Sequence, residues 1–138
     1  MLTYMLIYEC RKGKVNNMKY LVTYVIKANS TSWVEGKVLE AKNGSEAKKQ
    51  VKKTVKAETG RNAFNPIAYR YEEGMTTEGM AYEEYINRIQ SAIDTFKKRD
   101  AFKDYVEKCE HDLSKLYNEA TAKGYTLTQT GNAWKVRK

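Results

Sequence analysis

The run KYLVTYVIKA, residues 19–28, followed after a short polar break by WVEGKVLEA, residues 33–41, decides how this 138-residue chain is read. The first run is rich in β-branched and aromatic residues and too short for a stable isolated helix, so it predicts a strand. In the second, Val34 and Val38 fall on one side and Trp33, Lys37 and Leu39 on the other. That alternation suits an antiparallel partner with one buried face. Residues 29–32 then form the hairpin turn, and Gly36 is expected to mark a bulge.

Toward the C-terminus, Asn43-Gly44-Ser45 reads as a turn whose serine hydroxyl caps a helix beginning at Glu46. Ala47, Val51 and Val55 recur every four residues as a narrow apolar stripe, with Lys48, Lys49, Lys52, Lys53 and Lys56 on the rest of the surface. Gly60 ends that helix, and Asn65-Pro66 opens a strand over residues 67–72. Past residues 73–77 the period changes. Tyr82, Tyr85, Ile86, Ile89, Ile93 and Phe96 recur at three and four, and Phe102, Val106, Cys109, Leu113, Leu116 and Ala120 follow out of phase. The slip at residues 97–100 predicts two helices in a tight hairpin, with Asp100 capping the second, in preference to one bent helix. Lys123-Gly124 is a helix stop, and residues 125–129 and 133–136 form a hairpin turning at Gly131-Asn132. The expected class is α+β with a small, mostly antiparallel sheet: ββαβ, then two helices, then a C-terminal β-hairpin, in a single domain over residues 18–138.

Residues 1–17 admit two readings. The codons of Arg11, Lys12, Gly13, Lys14 and Val15 can spell a purine-rich ribosome-binding run, which makes Met18 an expected natural start and residues 1–17 an upstream extension; the alternative is an edge strand over residues 2–8. The opening MLTYMLIYEC has no basic region and no small-residue cleavage site, and falls far short of the ~20 apolar residues needed to cross a bilayer. Neither export nor a membrane span is expected. Cys10 and Cys109 stand alone, without CxxC or Cys/His clustering, so free thiols in a reducing cytoplasm are expected and a zinc site is not.

The residues offer little chemistry. The one histidine, His111, lies in a predicted helix beside Glu107 and Glu110, and reads better as a solvated helix surface than as half a metal site. Cys109, two residues away, points elsewhere on the helix. Glu72, Glu73, Glu78, Glu83 and Glu84 cluster in sequence but lack the positioned lysine or histidine of a metal-dependent nuclease. Neither GxxxxGK[ST] nor GxGxxG occurs. The expectation is a non-enzyme without cofactor or metal.

Charge is the stronger signal. The chain carries a formal +8, distributed as +7 over residues 1–60, −2 over 61–124 and +3 over 125–138. Lys48, Lys49, Lys52, Lys53 and Lys56, joined by Lys135, Arg137 and Lys138 if the C-terminal hairpin lies beside them, would make a positive surface suited to phosphates. A solvated helix face is the competing reading. Lysine in place of arginine favours backbone attraction over base reading. Tyr20, Tyr24, Tyr69 and Tyr71 share sheet faces in pairs and, with Trp33, offer either base stacking or core packing.

In the succession MKYLVTYVIKA, then KVLEAKNGSEAKKQVKK, then a Lys/Asn/Tyr-rich helical half, residues 18–124 resemble small accessory proteins of bacteriophages and mobile elements of low-GC Gram-positive bacteria, anti-CRISPR proteins among them. The resemblance implies a non-enzymatic inhibitor of a host nucleoprotein or nuclease, such as a CRISPR effector, working in the bacterial cytoplasm. Its basic character would direct it to an acidic protein surface or to the guide or target nucleic acid. The alternatives are a free-standing, sequence-tolerant nucleic-acid-binding domain and a phage structural or assembly protein that forms a homodimer or larger homo-oligomer.

Overall fold

The computed structural model describes residues 17–138 and divides after Glu72 into two compact units. The expectations for residues 1–16 lie outside the described residues. Helices and antiparallel sheets follow one another in the order expected, but the strands among the described residues fall into two sheets, one per unit. Among the described residues no helix is long and apolar enough to cross a membrane.

In the first unit β1 (Met18–Ala28) and β2 (Thr31–Ala41) pair antiparallel in unbroken register from Met18↔Ala41 to Ala28↔Thr31. Asn29 takes the left-handed conformation (φ 57°) that so tight a turn needs. Helix α1 (Gly44–Thr59) leads to β3 (Phe64–Arg70), which pairs with the other edge of β1, giving the order β2-β1-β3. The pleat sends alternate residues to opposite faces, so Tyr20, Val22, Tyr24 and Ile26 of β1 all face one side, where they pack on Ala47, Val51 and Val55 of α1.

Three local expectations fail in this unit. β3 takes in Asn65-Pro66 and ends at Arg70, where a strand over 67–72 opened by that pair was expected. Gly36 sits in regular register opposite Thr23; the irregularity lies across β1 and β3, between Thr23 and Val25, where Asn65 adopts φ 50°. The cap of α1 is Asn43 and not Ser45. Its side-chain oxygen accepts from the Glu46 N–H at 2.9 Å, and the Glu46 carboxylate accepts from the Lys42 N–H at 2.9 Å. Asn43 leads because Gly44 and Ser45 are already helical, leaving the residue before them to satisfy the first-turn amides. Asn43→Ala is expected to lower stability by about 1 kcal/mol in a denaturant titration.

Tyr24, 2 % exposed, donates to Glu35 at 3.3 Å. Burial, reinforced by the Glu35 carboxylate, pushes its phenol up to about 12. The unfolded chain ionises near 10, so the phenol's contribution is complete below that pH and declines as pH rises from about 10 to about 12. Tyr24→Phe is expected to flatten that decline in an alkaline denaturation series.

The second unit holds α2 (Thr77–Phe96), a 3-10 turn at Asp100–Phe102, α3 (Lys103–Ala122) and the hairpin β4 (Thr126–Thr130) with β5 (Ala133–Arg137). Thr76 caps α2 by accepting from the Gly79 N–H at 2.9 Å. The helices form a hairpin: Ile93 packs with Val106 and Cys109, while Ile86 packs with Ala120, Tyr125 and Val136. Asp100 makes no side-chain cap of α3, whose N-cap is Phe102. The turn is closed by backbone bonds, Arg99 N–H to Phe96 C=O and Phe102 N–H to Arg99 C=O, and by the Phe96 ring 4.7 Å from that of Phe102.

Among the described residues β5 has one strand neighbour, β4, and α2 side chains bond to its other edge. Asn87 accepts from the Trp134 N–H at 2.7 Å and donates to the Trp134 carbonyl at 3.0 Å, and Glu83 accepts from the Val136 N–H at 2.9 Å. Such partners stand in for a missing strand. Beyond β5 the Lys138 N–H donates to the Gly74 carbonyl at 2.7 Å; Gly74 has φ 84°, and a Cβ there would meet the Lys138 carbonyl oxygen at 2.7 Å.

Candidate functional site

The residues that hold α1 down also decide what it displays. With Ala47, Val51 and Val55 committed to the core, Lys48, Lys49, Lys52, Lys53 and Lys56 are all exposed. Lys48, Lys52 and Lys56 form one i, i+4 row and Lys49 and Lys53 a second, each step rising about 6 Å along the axis. No acidic residue occurs from 47 through 57. The flanking carboxylates are engaged, Glu46 at the N-terminal cap and Glu58 with Lys37 at 3.1 Å. Lys56 donates to the Gly60 carbonyl at 3.0 Å, so its ammonium also closes the helix at the negative end of its dipole.

The unit boundary sharpens the charge pattern. Residues 1–72 carry a net +8 and residues 73–138 a net zero, so the whole formal charge resides in the first unit. Lys135, Arg137 and Lys138, expected to extend the lysine surface, belong to the second. Lys135 is exposed there. Arg137 is a structural residue: its guanidinium is 2.6 Å from Glu83, with the two side chains 18 % and 16 % exposed, and it also donates to the Val136 carbonyl. Lys138 lies over the Tyr125 ring at 4.7 Å.

The aromatic residues divide in the same way. Tyr20 and Tyr24 are core, because they share the face of β1 that α1 covers. Trp33 donates to Glu35 at 2.7 Å and carries the Arg61 guanidinium on its ring at 5.6 Å. Tyr69, opposite Leu21, and by alternation Tyr71 belong to the other face of the sheet; both are half-buried, and Lys19 lies over the Tyr71 ring at 5.5 Å. That face also presents Val34, Val38 and Ile67, which are 54 %, 49 % and 40 % exposed.

The second unit uses its polar groups internally. Glu78 accepts from Lys123 at 2.9 Å and from Tyr125 at 3.0 Å, and these bonds hold its carboxyl below the usual range. Tyr125 is within 2.8 Å of the Thr76 hydroxyl. Cys109 is buried and His111 exposed. Among the described residues no group of three or more His, Cys, Asp or Glu side chains converges on a point where a metal ion would sit.

Sequence reasoning found the lysines through the stripe they flank. It read residues 18–138 as one domain, and the division after Glu72 falls just before the change of period that it noted past residues 73–77. It missed the commitment of Arg137 to Glu83, which depends on a contact 54 residues apart that no local pattern encodes. No protein-family model, no curated protein and no solved structure matches this chain.

Proposed function

We propose that the chain is a non-enzymatic binding protein whose contact surface is the exposed face of α1, acting as a phage-type accessory inhibitor on a host nucleoprotein or nuclease such as a CRISPR effector. The supporting observation is the concentration of the whole +8 in the first unit, with five lysines on one helix uninterrupted by a carboxylate. Such a surface draws in polyanionic partners and speeds encounter at low ionic strength.

The test is capture from a bacterial lysate on the immobilised protein, with and without nuclease. The expected result is a nucleic-acid-containing complex, released by raising the salt and lost when Lys48, Lys52 and Lys56 are all replaced by glutamine. Capture that the triple variant retains in full would overturn α1 as the contact surface.

A further inference from the structure

We infer that α1 contacts its target through the sugar–phosphate backbone of a nucleic acid, which lies along the helix axis against both lysine rows. The inference rests on α1 being the contact surface and names what that surface holds. Three observations carry it.

First, the exposed face contains no apolar anchor. Between the buried Ala47, Val51 and Val55 lie only Lys48, Lys49, Gln50, Lys52, Lys53 and Thr54. Protein interfaces concentrate energy in aromatic and apolar residues at a desolvated centre and are depleted in lysine, so this face is ill suited to a folded acidic protein. Phosphate contacts need only cations and polar groups. Second, the helix cannot turn its apolar stripe into a lipid surface, because the stripe is buried against β1. Third, the spacing fits. From Lys48 to Lys56 the helix rises about 12 Å. A duplex strand places one phosphate per about 3.4 Å of axis, so the lysine rows face roughly three or four consecutive phosphates. The absence of arginine on this face predicts indifference to base sequence.

The experiment is fluorescence anisotropy on the full chain, with a labelled random-sequence 24-base-pair DNA duplex, a labelled 24-nucleotide single strand and labelled polyglutamate, from about 50 to 200 mM salt. With four or five lysine contacts, log K against log[salt] is expected to fall with a slope of about −4 on the duplex and about −3 on the single strand. These two arms distinguish the sources of the same phosphate chemistry. K48Q/K52Q and K49Q/K53Q are each expected to make the duplex slope shallower by about 2, and K48R/K52R to restore it. K98Q/K108Q, in the second unit, is expected to leave it unchanged. Circular dichroism melting keeps loss of fold separate from loss of contact. Equal slopes for the parent and both α1 double variants would overturn the inference, as would tight binding of polyglutamate with neither nucleic acid bound. If the α1 variants still lose the lysate target in that second case, the contact surface stands and only its ligand is wrong.

Discussion

Ile86→Ala is expected to destabilise the second unit by about 2–5 kcal/mol, the cost of deleting a fully buried aliphatic side chain and leaving a cavity. Ile86 is 0 % exposed and packs with Ala120, Tyr125 and Val136, with Tyr82, Leu113, Leu116, Leu127 and Trp134 against the same cluster. Residues of α2, α3, β4 and β5 thus meet around one side chain, and no single element can move to fill the space. Each unit carries one tryptophan, Trp33 in the first and Trp134 in the second, so denaturant unfolding of a Trp33→Phe background reports on the second unit alone. A loss below about 1 kcal/mol would mean that the helical hairpin does not close on the β4–β5 hairpin as described. Leu113, which its stripe predicts to be core, is only partly buried and lies against both clusters of this unit, so its truncation should cost less.

Arg137→Met is expected to cost about 3 kcal/mol, because the Glu83 carboxylate would be left in a largely enclosed site without its cation. Glu83 also accepts from the Val136 N–H at 2.9 Å, so the pair fixes the outer edge of β5 on α2. Adding Glu83→Gln to Arg137→Met removes the stranded charge yet keeps an acceptor for Val136, and is expected to recover more than half of the loss in the same denaturant assay. If the double variant were no more stable than Arg137→Met alone, the cost would lie in lost packing of the arginine stem.

How much of this was legible in advance follows the range of the interactions. The alternation of residues 19–28 and 33–41 and the fourfold recurrence of Ala47, Val51 and Val55 are local signals, and they placed β1, β2 and α1 within a residue or two. The phase slip at residues 97–100 correctly gave a helical hairpin. The reason assigned to it was wrong, because backbone bonds and ring packing close the turn where an Asp100 cap was expected. Strand partnership was beyond local reading: one antiparallel sheet was expected where the strands form two, since pairing depends on contacts distant in sequence. For the site, the lysines were visible because amphipathic periodicity assigns them the outer face. The fates of Tyr20, Tyr24 and Arg137 were not, because a tyrosine on a strand and an arginine near a terminus look alike whether they face solvent or a core.

The measurement that bears most directly on α1 as a phosphate-binding surface is a two-dimensional 1H–15N correlation titration of the full chain with a 24-base-pair random-sequence duplex at low salt. The expected result is a set of shifted signals confined to residues 44–60 and their lysine ammonium groups, reversed as salt is added. Shifts that cluster in residues 73–138, or around Val34, Val38 and Ile67 on the other face of the sheet, with α1 unmoved, would contradict it.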